Sequence, residues 1–340
     1  MIQSLISKLV RGENLEETEA VEMMRKIMTG NATDAQIAGF ITALRMKGET
    51  VEEIAGCARV MREYATKVTP GRRPLIDTCG TGGDGSKTFN ISTTAAFVVA
   101  GCGLAVAKHG NRSISSQCGS ADVLEALGVN LNLSPEQVAQ CIDEVGIGFL
   151  FAPYLHGAMK YAVGPRRELG IRTIFNVLGP LTNPADAEIQ LLGVFDPRLT
   201  RPLGEVLHRL GVKHALVVHG HGNLDEISLS GPTQVTEVTP AGCRDFTLMP
   251  EDLGLDPHPL EEIQGGDPQT NAEICEKVLK GQPGAHRNIV LANAAAALVA
   301  AGMAADFRAG VSLAAESIDS GIAYEKLLDL RRMSNLLAAS

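Results

Sequence analysis

Leu75-Ile-Asp-Thr-Cys-Gly80-Thr-Gly-Gly-Asp84-Gly-Ser-Lys-Thr88-Phe-Asn90-Ile-Ser-Thr93 is the stretch that decides the fold. Leu75-Ile76 is a short apolar run, and Ile91 to Ala100 is a small-residue and apolar stretch of helical length, so the glycines lie between a strand and a helix. Glycines let backbone N–H groups close around an anion without interference from Cβ, and the start of the following helix adds partial positive charge. Asn90, Ser92 and Thr93 fall at that helix start, where a short polar side chain either caps free N–H groups or reaches a ligand. Neither common phosphate loop is present. A P-loop needs Lys followed by Ser or Thr directly after its last glycine, which this spacing does not provide. Gly80-Thr-Gly82-Gly-Asp-Gly85 matches the dinucleotide pattern in letters, but the next apolar run, Leu104 to Lys108, ends in a base and not in the acid that pattern requires.

A second loop is expected after that next strand. Lys108, His109, Asn111, Arg112, Ser113, Ser115 and Ser116 place two fixed cations, an imidazole and several hydroxyls beside the first loop. Both loops then open at the carboxyl ends of neighbouring parallel strands, the usual ligand crevice of an open α/β sheet. Arg and Lys among glycines and serines suit a small polyanion with two separate phosphate groups.

Outward from this centre the pattern changes on both sides. Ile2, Leu5, Ile6 and Leu9 lie on one helical face, and Glu17 to Ala65 reads as consecutive helices, with Thr33-Asp34 opening a helix stopped by Gly48 and Thr50-Val-Glu-Glu53 forming a capping box. Thr66 to Pro74 reads as a linker. Beyond Ser120, Ser134-Pro-Glu-Gln137 starts a helix and Ile147 to Phe151 is a buried-strand candidate. Gln190 to Val194 and His214 to Val218 flank the helical pattern Leu199 to Leu210 as a βαβ unit. Short alternating runs between Ser228 and Pro268 suggest a few extra strands, and helices close the chain from Asn288. Asp225-Glu226 follows a glycine-rich turn at a strand end and suits a hard cation whose remaining ligands are water and substrate phosphate. His219 and His221 lack a third nearby ligand for zinc.

The chain has 340 residues and a net charge of -9, which argues against a general nucleic-acid surface without excluding a local basic pocket. Its seven cysteines are scattered without a C-x-x-C pair, which points to reduced thiols and a cytoplasmic setting. No signal peptide or membrane span is expected.

Gly80-Thr-Gly-Gly-Asp84, Asn90-Ile-Ser-Thr93, Lys108-His-Gly-Asn-Arg-Ser113 and Gly119-Ser120-Ala-Asp-Val-Leu-Glu-Ala-Leu-Gly128 together resemble the anthranilate phosphoribosyltransferase family, over essentially the whole chain. The resemblance implies a small all-helical N-terminal domain, residues 1–70 completed by helices around 153–183, and a larger α/β domain, residues 74–340, with a mainly parallel sheet flanked by helices. It implies transfer of a phosphoribosyl group from phosphoribosyl pyrophosphate to anthranilate in tryptophan biosynthesis, with Mg2+ and a homodimer formed through the helical region, and without nucleic-acid or membrane partners. On the first loop and helix start the implied phosphoribosyl pyrophosphate contacts are Gly80, Gly83, Asp84, Thr88, Asn90, Ile91, Ser92 and Thr93. On the second they are Lys108, Gly110, Asn111, Arg112, Ser113, Ile114, Ser115, Ser116 and Ser120. Gly80, His109, Asn111 and Arg166 are the implied anthranilate contacts, the last three also the catalytic candidates, and Ser92, Asp225 and Glu226 the magnesium ligands. Gly157 and Gly164-Pro165 depart from the family's usual residues around the loop that precedes Arg166.

An aromatic amine carries a free lone pair at neutral pH, so the expected chemistry is positioning and charge neutralisation more than general-base activation, with His109 a candidate proton acceptor. Two rivals make different demands. A nucleoside phosphorylase of the same fold needs inorganic phosphate and not the Asp225-Glu226 pair, and a non-catalytic nucleic-acid-binding paralogue needs a basic surface.

Overall fold

The computed structural model describes residues 1–113 and 117–339. Four helices open the chain: α1 (Ile2–Val10), α2 (Glu17–Met28), α3 (Asp34–Lys47) and α4 (Val51–Tyr64). Their ends follow the local chemistry. Thr33 and Gln36 cap α3 reciprocally, Gly48 at φ 89° stops it, and Thr50 and Glu53 repeat the capping box on α4. The fully buried Glu53 carboxylate also accepts from the Leu15 N–H at 2.9 Å and pairs with Lys47 Nζ at 2.9 Å, which ties α4 to the end of α3 and the start of α2.

The α/β part then alternates: β1 (Leu75–Gly80), α5 (Ile91–Gly101), β2 (Ala105–Gly110), α6 (Ser120–Ala126), α7 (Pro135–Val145) and β3 (Ile147–Phe151). The chain returns to the helical region through α8 (Ala152–Leu155), α9 (Lys160–Leu169) and α10 (Phe175–Leu178), then re-enters the sheet as β4 (Ile189–Gly193), α11 (Thr200–Arg209) and β5 (His214–Gly220). An antiparallel hairpin, β6 (Thr233–Thr239) and β7 (Gly242–Leu248), supplies the expected extra strands at one edge. Helices α12 (Pro268–Leu279), α13 (Ala285–Ala300), α14 (Phe307–Asp319) and α15 (Ile322–Ala338) complete the chain.

The seven-stranded sheet runs in the order β3-β2-β1-β4-β5-β6-β7, with β1 to β5 parallel. The order reverses between β1 and β4, so the loops leaving these two strands diverge and open a crevice at their carboxyl ends. Alternation along the strands distributes the core. Ile76 and Leu191 face the cluster formed with α5 and α13, whereas Cys79 and Leu192 face a second cluster shared with α1 to α4, α9 and α11. The N-terminal helices therefore pack on a sheet face and do not form a separate core. Helix α5 is buried from Thr93 to Ala100, between the sheet and α13 to α15, which is why it carries no polar stripe.

Candidate functional site

The glycine loop leaves β1 at the switch point. Gly82, Gly83 and Gly85 all have positive φ, and among the described residues the N–H groups of Gly83 and Gly85 donate to no protein acceptor, so both are free to face an anion. The loop is held from far along the chain. Asp225 Oδ2 accepts from the Gly82 N–H at 2.7 Å, and Asn223 Nδ2 donates to the Asp84 carbonyl at 3.1 Å. Glu226 Oε1 accepts from the Ser92 N–H at 3.0 Å, at the start of α5.

The acidic couple lies over paired strand ends. Gly80 and Gly193 are partners in the β1–β4 register, and a Cβ on either would collide with Asp225. Both glycines thus serve close approach. Burial, then repulsion by Asp84, raises the Asp225 pKa; burial, then repulsion by Asp225, raises that of Glu226. Lys108 is the local counter-charge: its buried Nζ donates to the Thr78 carbonyl at 2.5 Å and reaches Ser92 Oγ at 3.5 Å, and burial lowers its pKa.

Several sequence expectations change here. Lys108 and His109 are not loop residues, because β2 extends to Gly110 and buries both. Arg112 is not a free loop cation: its guanidinium binds Asp122 at 3.1 Å and Glu125 at 2.5 and 2.8 Å, since α6 brings both acids back beneath the loop. Asn90 occupies the cap position of α5 without capping it; its amide donates to the Cys118 carbonyl at 3.3 Å and its oxygen accepts from Asn271 at 3.0 Å. Ile91 buries its side chain in the core and gives its N–H to the Phe89 carbonyl. Thr93 is buried one residue beyond Ser92, and Thr88 Oγ1 lies 3.2 Å from Ser86 Oγ.

Around the second loop, Ser120 Oγ donates to the Asn111 carbonyl, Gly110 packs against Ser120 and Phe149, and the Ser113 N–H donates to Asp122. Ile114, Ser115 and Ser116 lie outside the described residues. His109 donates its main-chain N–H to Asp77, whose other oxygen accepts from Asn183. Arg166 stands apart on α9, its guanidinium 5.1 Å over the Phe175 ring. Burial alone lowers its pKa, and no carboxylate pairs with it among the described residues, whereas Arg167 beside it is exposed.

Three participants escaped the sequence reading. Arg172 donates to the Gly83 carbonyl and stacks 4.3 Å over Phe195; His156 faces His109; and Asn183 bridges Asp77 and the Ala107 carbonyl. Each of these hydrogen bonds spans more than 40 residues, beyond the reach of any local sequence pattern. No group of three or more His, Cys, Asp or Glu side chains able to hold a metal occurs among the described residues, so any cation here shares its shell with other oxygen donors.

A helical bundle followed by an α/β domain is the organisation of the glycosyl transferase family. Its helical bundle domain matches residues 3–65 and its a/b domain residues 72–324. Within that class, the chain belongs to the anthranilate phosphoribosyltransferase family. It is 57% identical over 338 residues to the anthranilate phosphoribosyltransferase of Symbiobacterium thermophilum, covering 99% of each chain. The crystal structure of the Thermus thermophilus enzyme superposes with a TM-score of 0.92 at 47% identity, over 97% of this chain and 99% of that one. That of the Saccharomyces cerevisiae enzyme in complex with PRPP and Mg superposes with a TM-score of 0.90 at 29% identity, over 99% and 98%.

Proposed function

We propose that this chain transfers the phosphoribosyl group of phosphoribosyl pyrophosphate to the amine of anthranilate, releasing pyrophosphate, as its family membership implies. The observation that carries the reading is the seat of Asp225 and Glu226 on the Gly82 and Ser92 N–H groups, which puts an acidic couple beside free glycine amides at the sheet's switch point. Neither rival accounts for the site as well. A phosphorylase does not need this couple, and the sequence's net charge of -9 does not suit a nucleic-acid surface.

Magnesium fits the residues present. A buried and a half-buried carboxylate, both with raised pKa values, and one lysine leave a site that a hard divalent cation stabilises, with Ser92, Asp225 and Glu226 as its protein oxygens. When bound, the ion neutralises charge on the departing pyrophosphate. The chain's own residues do the rest. The amides of Gly83 and Gly85 hold phosphate oxygens, Asp84 orders the loop through Ser86 and Asp225, and the start of α5 offers Thr93 and Asn90 to the sugar phosphate. Arg166, whose guanidinium lies over Phe175 and pairs with no carboxylate among the described residues, receives the anthranilate carboxylate, while Asn111 and His109 hold the ring and amine over C1.

Two further readings complete the proposal. The division at residues 70 and 74 separates a helical unit, with α8 to α10, from the larger α/β unit, and their shared core suits closure by sliding more than free hinging. A homodimer is inferred through α1, α3 and α9, which expose Val10, Met46 and Val163 at 72, 84 and 50%. The free thiols suit a reducing, cytoplasmic setting, and no described helix is long and apolar enough to cross a membrane. The direct test mixes the protein with anthranilate, phosphoribosyl pyrophosphate and Mg2+ and follows loss of anthranilate fluorescence, with EDTA as control. Folded protein that leaves the fluorescence unchanged refutes the activity.

A further inference from the structure

His109 is the penultimate residue of β2, and His156 directly follows α8 at the carboxyl end of the adjacent β3. Their rings meet: Nε2 lies 3.2 Å from Nε2, with centroids 5.1 Å apart, and both side chains are buried. Two ring nitrogens in such contact need a proton between them. Backbone groups beside the rings, Gly179 at His109 and Thr182 at His156, favour the protonated forms. Two neutral imidazoles carry two N–H groups on four ring nitrogens; one of the two lone pairs accepts the ring-to-ring hydrogen bond, and the other leaves the cluster room for one more proton.

We propose that His156 is a positioning residue for proton removal: with His109 it forms a two-imidazole site that takes the proton shed by the acceptor amine. The inference rests on the reading of an aromatic amine as acceptor. The amine lone pair forms the bond to C1 as the C1–O bond breaks and its electron pair leaves on pyrophosphate. The nitrogen thereby becomes strongly acidic, and its proton passes to a ring lone pair of the pair, to be released to water after product departs.

The surroundings keep that lone pair empty beforehand. Lys108 on the same strand and Lys67 from the segment before β1 disfavour a cation here, and the Asp77 carboxylate is turned to the His109 main chain and not to its ring. On the far side His156 meets Met28, Met61, Met159 and Tyr64, which add no charge. Burial first, then the neighbouring ring, lowers the His109 pKa to about 3, and burial lowers that of His156 to about 4. An acceptor so depressed is unprotonated throughout the physiological range yet matched to an anilinium-like acid.

The test is the pH dependence of single-turnover rate in His156→Gln, whose amide can prop the His109 ring but accept no proton. Losing the neighbouring imidazole removes the second cause of the low His109 pKa and leaves the first, burial, so that pKa rises in the variant. As pH falls, the acid limb of the variant is expected to set in at a higher pH than that of wild type, its rate relative to wild type dropping on the order of tenfold along the limb. His109→Asn should show no limb, and adding His156→Gln to it should cost little more. A variant profile parallel to wild type, whatever its absolute rate, overturns the inference and leaves His156 a packing residue. Wild-type protein without turnover on anthranilate refutes the function instead, so the two failures are distinguishable.

Discussion

Gly193→Ala is the sharpest single perturbation of the site, because Gly193 itself is assigned to neither substrate nor metal and its effect passes through the position of Asp225. A methyl on Gly193 falls 1.6 Å from the Asp225 carbonyl oxygen and 2.4 Å from its carbon, where real Cβ contacts essentially never come under 3.0 Å. Asp225 must therefore retreat by about 1.4 Å, the gap between those two limits. It cannot do so alone, since its side chain is fixed on the Gly82 N–H and its own N–H points to Asp84. A displacement of roughly 1 Å in a positioned group costs on the order of 10²-fold in rate, and overpacking costs about 1–3 kcal/mol in stability. Steady-state kinetics with an Mg2+ titration should show kcat/KM down about 10²-fold and a weakened Mg2+ dependence, with thermal melting confirming a folded protein. Gly71→Ala is the control: its methyl makes an ordinary 3.6 Å contact with Asp143, remote from the site. A Gly193→Ala enzyme with wild-type kcat/KM and Mg2+ dependence would show that the seat of Asp225 is not what sets activity.

Four other outcomes follow from the geometry. A carboxylate whose folded pKa is raised contributes stability at low pH that is lost as pH rises, so metal-free protein should become less stable from about pH 4 upward through the raised values of Asp225 and Glu226. Asp225→Asn in EDTA should flatten that decline while abolishing Mg2+-dependent turnover; equal drops in melting temperature between pH 5 and 8 for both proteins would contradict it. Arg166→Met removes a charge-assisted partner of a carboxylate worth about 1.5–3 kcal/mol, so the anthranilate KM should rise about 10- to 100-fold with that for phosphoribosyl pyrophosphate little changed; an unaltered KM sinks the assignment. Glu53→Ala leaves Lys47 without its buried partner and should cost about 3–5 kcal/mol by urea unfolding, and a loss under about 1 kcal/mol would show that the junction is not held there. Met46→Glu should shift the assembly toward monomer in light scattering, and an unchanged mass would move the interface away from α3.

Local chemistry wrote much of this molecule legibly. The capping boxes at Thr33 and Thr50, the stop at Gly48, the strand-glycine-helix order around Gly80 and the apolar run of α5 all depend on neighbours within a few residues, where backbone sterics and hydrogen-bond satisfaction act directly. Asp225-Glu226 was recognisable as an acidic couple for the same reason. Its seat was not, because the sheet order that puts β4 beside β1 and the couple over Gly193 and Gly80 is a property of the assembled layers. Tertiary structure likewise paired Arg112 with two acids by folding α6 beneath it and buried Lys108 within β2. It also joined His156 to His109 and Arg172 to Gly83. Residue types and short spacings state which charges and donors exist, whereas their partners are chosen by which strands lie next to one another. That choice is made by burial of the whole apolar surface, to which no short stretch holds the key.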